Sequence, residues 1–533
     1  MRLSALACIV ACACAAPKPA ASGRDPSLPG WANGAVFYEV FVRSFQDSDG
    51  DGKGDLRGLI SRLDYLNDGD PKTDTDLGVD ALWLMPVFGS PSYHGYDTSD
   101  YDNINADYGN NADFTQLATE AHKRGIRIVV DLVLNHTSSK HPWFVESSSS
   151  ASSPRRDWYV WSNTFQSWGQ PWNAGSNTWH ALNGAWFYGI FWSGMPDLNY
   201  RTPAVRDEAK RIASLWLSRG VDGFRLDAAR YLIETGPGAG QSDTAETHQF
   251  WKEFAAHVRA AKPEAILIGE NWTESPIIAT YYGSTANVPG GDELPLNFDF
   301  PLADRIVKGV KSGDASGIGS KLAEVKNAYP PGATDVPFLT NHDQLRVASE
   351  LSGDGGKLRS AAAVLLTLSG TPFLYYGEEV GLLNGPDNAD EAKRTPMPWD
   401  ASAGGGFTTG TPWYGFAPGR DTANVAAQTG DPGSLLSRYR KLIRARHASV
   451  ALTRGTLDVL LGSGPILAFV RSQENERVLV AHNLGDAPQT ASLSVAAAGG
   501  EPLFVDDGVA VTFSGVSAGL TMSPHASAIL RLK

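Results

Sequence analysis

Four segments of this chain end an apolar run in residues that can carry charge or move protons: DLVLNH (131–136), GFRLDAAR (223–230), LIGEN (267–271) and FLTNHD (338–343). They deliver Asp131, Asn135, His136, Arg225, Asp227, Glu270, His342 and Asp343. A buried parallel strand looks like this where its last residues emerge into a site. Three of the acids, Asp227, Glu270 and Asp343, are the set needed to split a glycosidic bond with retention. One carboxylate attacks the anomeric carbon and a second gives its proton to the leaving oxygen. Arg225 stands two residues before Asp227, hence on the same face of an extended strand, where its cation favours an ionised neighbour. This assigns Asp227 as the nucleophile. Glu270 follows the apolar residues 266–268, and burial beside other anions raises a carboxyl pKa, as a general acid requires. Asp343 is left to bind sugar hydroxyls and help distort the ring, with His136 and His342 as neutral hydrogen-bonding partners. A single acid at a strand end is often only a helix cap; four such clusters in one register point to chemistry.

Eight apolar runs can serve as the strands that hold these residues: 36–42, 81–86, 126–134, 223–226, 265–268, 295–300, 336–339 and 372–376. Between several of them apolar residues recur at helical spacing, as in Phe114, Leu117, Ala118 and Ala121, or Val205, Ala209, Ile212 and Trp216, or Phe250, Phe254 and Val258. This alternation predicts an α/β fold, a (β/α)8 TIM barrel built from residues 30–137 and 201–448. The interval from Asp227 to Glu270 suits one βα unit, and that from Glu270 to Asp343 suits two. The interval from Asp131 to Asp227 is too long for one crossover, so a domain is inserted after the third strand, over residues 138–200. That insert holds Trp143, Trp158, Trp161, Trp168, Trp172, Trp179, Trp186 and Trp192. Most are expected to form its own core and a few to face a cleft. A second long segment, 377–432, follows the eighth strand and is expected to overhang the same mouth. From 449 to 533 short alternating strands with polar turns predict a C-terminal antiparallel β-sandwich. Beyond residue 450 it has neither Trp nor Tyr, which favours a structural role over a sugar-binding one.

The formal net charge of −13 comes without a basic run, so nucleic acid and anionic membrane surfaces are poor partners. All three cysteines, Cys8, Cys12 and Cys14, precede residue 15, which leaves the folded body without disulfides or a thiol nucleophile. Residues 1–29 read as a leader and linker: Arg2, a short apolar stretch, then small residues and Pro. The order Ile9-Val10-Ala11-Cys12 resembles a bacterial lipobox, which predicts a lipid anchor on Cys12. The alternative is an ordinary secretory signal cut near Ala16. Either way an exported protein is expected, and a monomer.

The segment Asp47-Ser48-Asp49-Gly50-Asp51-Gly52-Lys53-Gly54-Asp55 gathers four carboxylates around glycine turns. Hard oxygen donors at that density suit Ca2+, with Asp47, Asp49, Asp51, Asp55 and the Lys53 carbonyl as ligands. The loop departs from an EF-hand, because the twelfth residue from Asp47 is Gly58 rather than Glu.

In order and content the four segments resemble the conserved regions of the α-amylase family of retaining glycoside hydrolases (glycoside hydrolase family 13), over nearly the whole chain from about residue 34. The resemblance implies a barrel, an inserted domain B and a C-terminal β-domain, and the roles given above to Asp227, Glu270 and Asp343. Tyr93-His94-Gly95-Tyr96-Asp97 is similar to the family segment whose Tyr, here Tyr96, stacks on the sugar at the cleavage point. Met195-Pro196-Asp197-Leu198-Asn199 resembles the family's domain B signature, in a group between the oligo-1,6-glucosidase and neopullulanase types. The resemblance also implies a second calcium held by Asn135 and Asp197, although Tyr231 follows Arg230 where many members have His. The reading that results is an α-amylase cutting internal α-1,4 bonds of starch and maltodextrins. An exo-acting α-glucosidase, an oligo-1,6-glucosidase such as 394–400 resembles, or a glucosyltransferase is the alternative. A non-catalytic glycan-binding lipoprotein is a third reading, against which the complete carboxylate set stands.

Overall fold

The computed structural model describes residues 28–286 and 288–533. Cys12 and the leader around it lie outside the described residues. Eight parallel strands form one sheet: β1 (Phe37–Val40), β2 (Ala81–Leu84), β3 (Arg127–Leu132), β4 (Gly223–Leu226), β5 (Ile266–Gly269), β6 (Leu296–Phe298), β7 (Thr334–Val336) and β8 (Phe373–Tyr375). Each pairs with its neighbour in sequence, and β8 returns to β1 with Phe37 opposite Phe373. The barrel closes through a bridge between Phe338 and Phe373. The fold expected from the apolar runs is thus the fold observed. β7 sits earlier than the run at 336–339 indicates, because Pro337 has no N–H to donate to a ladder and Asp299 N takes the Val336 carbonyl instead (3.2 Å).

Nearly every strand residue is buried, as expected of strands packed on both faces. The barrel interior is aromatic: Phe37 stacks on Phe373 (4.4 Å), and Trp83 packs against Phe298 (5.3 Å). This layer is the floor on which the polar residues at the strand ends rest. Outside, helices Asn111–Lys123, Pro203–Ser218 and Ala245–Ala261 turn their apolar stripes inward, with Phe114, Trp216 and Phe254 fully buried. Their starts are set locally. Asn110 and Asp113 form a reciprocal capping box on the first, and Pro203 opens the second.

Between β3 and β4 the chain folds small antiparallel sheets, among them Trp161–Ser162, Trp179–Leu182 and Ala185–Tyr188. Trp168, Trp179 and Trp186 pack there with Tyr188 and Ile190. Trp172 and Trp192 stay half exposed (50% and 54%). After helix Leu435–His447 a five-stranded and a three-stranded antiparallel sheet enclose a core of residues such as Val470, Leu479, Leu493 and Leu520. One buried arginine of this β-domain, Arg471, reaches into the barrel and meets Arg446 of the last barrel helix at a shared carbonyl. Arg446 and Arg471 both donate to the Leu368 carbonyl (2.9 and 2.7 Å). Among the described residues no helix is long and apolar enough to cross a membrane.

Candidate active site

The C-terminal ends of the strands open into a cavity of about 610 Å3, where a barrel of this kind carries its chemistry. Asp227, Glu270 and Asp343 all line it, with Tyr96 and His136. Domain B contributes Trp172, Phe191 and Met195, and the segment after β8 contributes Asp390 and Arg394. Both overhanging segments therefore build the walls.

Arg225, on β4, organises the floor. Its Nη1 lies 2.7 Å from Asp227 Oδ1 and 2.9 Å from Asp131 Oδ1, and its Nη2 lies 3.0 Å from Glu270 Oε2. One guanidinium, 1% exposed, thus faces three carboxylates. Burial pushes the Asp227 carboxyl up to about 6; Arg225 opposes this, while Asp131 and Asp343 add to it. Glu270 is pushed to about 7, first by burial and then by Asp227 and Asp343, against Arg225 and a hydrogen bond from Ala228 N (2.8 Å). At neutral pH Asp227 is mostly ionised and Glu270 is half protonated. Ala228 adopts a left-handed backbone (φ 50°), a conformation uncommon outside glycine, at the turn where the chain leaves β4.

Asp343 behaves differently. Burial raises its pKa, but His342 (3.1 Å) and Arg394 (Nη2 to Oδ1, 3.0 Å) outweigh it and hold the carboxyl far below its usual range. His342 is where the sequence reading needs correction. Burial disfavours its charged form, yet Asp343 and Glu39 raise its pKa to about 9, so the ring is a cation and not a neutral partner. His136 is neutral, lowered by burial to about 4. Its Nε2 lies 3.0 Å from the Tyr96 carbonyl. Tyr96 donates its hydroxyl to Asp131 Oδ2 (2.9 Å) and stacks on His342 (5.3 Å, 8° between planes).

Together these positions give an ionised acid, a protonatable acid and a permanently charged acid around one space, with apolar and aromatic walls. Comparison with known proteins places the arrangement. Residues 39–455 match the family model described as alpha amylase, catalytic domain, and residues 466–529 match that of the alpha-amylase SusG C-terminal domain. The chain belongs to the α-amylase family of glycoside hydrolases.

The chain is 41% identical to alpha-amylase 3 of Dictyoglomus thermophilum over 86% of each chain. It is 33% identical to an oligo-1,6-glucosidase of Parageobacillus thermoglucosidasius, covering 86% of this chain and 91% of the other. The crystal structure of an alpha-amylase from H. orenii superposes with a TM-score of 0.84 at 37% identity, over 94% of this chain and 99% of that one. As a member of the α-amylase family the chain is an enzyme, and family members of both amylase and glucosidase name lie within similar reach.

The metal-ligand candidates separate into two groups. Carboxylate oxygens of Asp47, Asp49 and Asp55 lie within 4.8 Å of one another. Asp51 is outside that group: it accepts from Lys53 N (2.7 Å), and the Lys53 ammonium turns to Asp107 (2.8 Å). Asp47 also accepts from Thr408 (2.5 Å), which docks the loop on the segment after β8. Asn135 and Asp197 do meet, Asn135 Nδ2 donating to Asp197 Oδ2 (3.1 Å) beside a backbone bridge between His136 and Asp197. Burial drives the Asp197 carboxyl well above its usual value. As it stands the pair is a strut that ties domain B to the barrel.

Several site residues went unassigned in the sequence. Glu39 had one signal, a lone acid in the apolar run 36–42. Arg394 and Asp390 had none beyond their place near the motif 394–400. Tyr93 joins them, since its hydroxyl donates to Asp390 Oδ2 (2.6 Å) and accepts from Arg394 Nη1 (3.0 Å). Trp272, 48% exposed and flat on Phe300 (4.5 Å, 9°), faces the cavity next to Glu270.

Proposed function

We propose that the chain is an α-amylase that hydrolyses internal α-1,4 bonds of starch and maltodextrins with retention. The observation that carries the chemistry is the single guanidinium of Arg225 shared by Asp227 and Glu270. Sharing one guanidinium brings the two carboxyls to one side of the cavity, which supports their reading as the nucleophile and acid/base pair of a retaining enzyme. Glu270 gives its proton to the glycosidic oxygen while Asp227 attacks the anomeric carbon, and the C–O bond to the leaving sugar breaks. Glu270, now ionised, takes a proton from water as that water displaces Asp227, which restores both groups. Arg225 supports an ionised Asp227 before attack. Asp343, with Arg394 and His342 beside it, binds the hydroxyls of the sugar ring, and Tyr96 offers that ring a flat face.

Endo action on α-1,4 links is supported by the 41% identity to alpha-amylase 3 and by the likeness to the H. orenii enzyme. An exo-acting α-glucosidase or glucosyltransferase is the second reading, favoured by the Tyr93–Asp390–Arg394 wall that closes on Asp343. Cleavage of an end-blocked p-nitrophenyl maltoheptaoside separates the two. An endo-enzyme releases the chromophore in a coupled assay, and an enzyme that leaves the blocked substrate untouched yet hydrolyses maltose is the second kind.

We also propose Ca2+ at the loop 47–55. The fit rests on its donor set: three carboxylates converge within reach of one ion, a crowding of like charge that a divalent cation relieves. Asp47, Asp49 and Asp55 would hold it, and it would act as a structural tie and take no part in bond cleavage.

A further inference from the structure

Glu39 leaves β1 as the only charged residue of that strand, 2% exposed, with its carboxylate under the catalytic cavity. Its Oε1 lies 2.6 Å from His342 Nδ1. The other ring nitrogen, Nε2, lies 2.6 Å from the Tyr96 hydroxyl and 3.1 Å from Asp343 Oδ2. A tyrosine hydroxyl has one proton, and that of Tyr96 is committed to Asp131 Oδ2 at 2.9 Å. Toward His342 the Tyr96 oxygen therefore accepts. Both imidazole nitrogens meet acceptors only, and an imidazole satisfies two acceptors only when both nitrogens carry protons.

We propose that Glu39 is a positioning residue of the α-glucan-cleaving site: by accepting the Nδ1 proton of His342 it fixes that ring as a doubly protonated donor between Tyr96 and Asp343. The inference deepens the proposed function and rests on it for the role of Asp343. The groups around the ring are few. Glu39 comes from β1, Trp83 stands edge-on from β2 (5.6 Å), Tyr96 stacks from the loop after β2, and Asp131 comes from β3. Asp343 follows in sequence, and Arg394 Nε donates to the His342 carbonyl (3.1 Å). Arg225 adds positive charge through Asp131, and Tyr375 lies near Glu39. Two cations thus face the ring at a distance, and among the described residues only Glu39 and Asp343 offer it direct carboxylate contacts. His342 is held at about 9 by this pair. The consequence for the reaction is electrostatic: the fixed cation keeps Asp343 ionised, and that preorganised carboxylate is what meets the positive charge developing on the sugar.

Glu39→Gln keeps an acceptor oxygen for Nδ1 and removes only the charge. Because Glu270 would mask an alkaline effect on starch, the substrate is α-maltosyl fluoride, whose leaving group needs no proton. The wild type should keep kcat/KM up to about pH 9, and the variant should lose it at least one pH unit lower, about tenfold at pH 9. Glu39→Asp, which restores the charge, should move the limb back. Equal loss at every pH in the Gln variant, with an unmoved limb, would overturn the proposal and leave Glu39 a packing residue. Should Glu39→Gln fail to fold, the wild type decides alone. The 15N shifts of the His342 ring, assigned against His342→Asn, should show both nitrogens protonated at pH 7.5, and a neutral tautomer overturns the proposal. If the wild type cleaves neither maltosyl fluoride nor starch, the proposed function fails, while the 15N titration still tests Glu39.

Discussion

Arg394 reaches from the segment after β8 to place its Nη2 3.0 Å from Oδ1 of Asp343. The same guanidinium holds Asp390 (3.0 Å) and the Tyr93 hydroxyl (3.0 Å), and only 4% of its side chain is exposed. A long loop is thereby pinned to the reacting space by one side chain. Arg394→Ala removes one of the two nearest cations from Asp343 and frees the wall. Loss of one preorganised electrostatic contact of this kind costs roughly 10²-fold in kcat/KM, and Arg394→Lys should recover only part of it, since an ammonium keeps the charge but lacks the planar fork that reaches Asp343, Asp390 and Tyr93 from separate nitrogens. Steady-state kinetics on maltodextrin checks this; unchanged kcat/KM in the Ala variant removes Arg394 from the site.

Asp227→Asn keeps the shape beside Arg225 and removes the attacking charge. We expect kcat on starch to fall by ~10⁴-fold or more, the scale seen when a nucleophile is lost, with the far-ultraviolet circular dichroism unchanged. Glu270→Gln should lose comparable activity on starch but far less in the first, glycosylation step with maltosyl fluoride, read as a burst of fluoride. A reversed pattern between the two variants would exchange their roles.

The two acids also set the pH profile. Activity needs Asp227 ionised, so it falls as pH drops through about 6; it needs Glu270 protonated, so it falls as pH rises through about 7. The profile of kcat/KM on maltodextrin should be a narrow bell centred near 6.5, its limbs belonging to the interacting pair and not to either residue alone. A plateau extending to pH 9 on this substrate would refute the assignment of Glu270.

The barrel was legible because strands buried on both faces must be apolar, and because the polar residue that ends each run has to face the site. Asp227, Glu270 and Asp343 follow from that rule alone. Glu39, Asp390 and Arg394 do not, since each needs a partner far off in the sequence: Glu39 meets His342 across 303 positions, and Asp390 and Arg394 meet Tyr93 across 297 and 301. The neutral state expected of His342 failed for the same reason. Its charge depends on Glu39, which local sequence does not connect to it. Asp51 shows a further limit, because alternate spacing in a loop does not say which carboxylate turns inward.

Glu378 offers a test of stability. It is 3% exposed; Tyr439 donates to its Oε1 (2.7 Å), and among the described residues no hydrogen bond reaches Oε2. Burial raises its pKa to about 8, with Glu379 adding to the shift. An acid whose folded pKa lies above its unfolded value holds more protons when folded, so it costs stability progressively from the unfolded pKa, about 4.3, up to about 8. Glu378→Gln abolishes that penalty. The melting temperature of the variant minus that of the wild type should rise steadily between pH 5 and 8 and then level off. A difference independent of pH would mean that Glu378 ionises normally in the fold.

Calcium removal should act through the same overhanging segment that carries Arg394. The loop 47–55 touches that segment closely: Asp47 accepts from Thr408, and Gly52 packs against the Thr411 carbonyl so tightly that a Cβ there would lie 1.9 Å from its oxygen. An ion held by Asp47, Asp49 and Asp55 would therefore clamp the loop under residues 404–413, whose Trp413 stacks on Tyr93 (5.4 Å). Chelation by EGTA should lower the melting temperature by several degrees, with recovery on adding Ca2+, and should raise proteolysis within 404–413 before activity is lost. Asp49→Ala should abolish the calcium response, whereas Asp51→Ala, outside the converging group, should keep it. A melting temperature indifferent to both EGTA and Ca2+ would leave the loop held by its own hydrogen bonds and by Thr408.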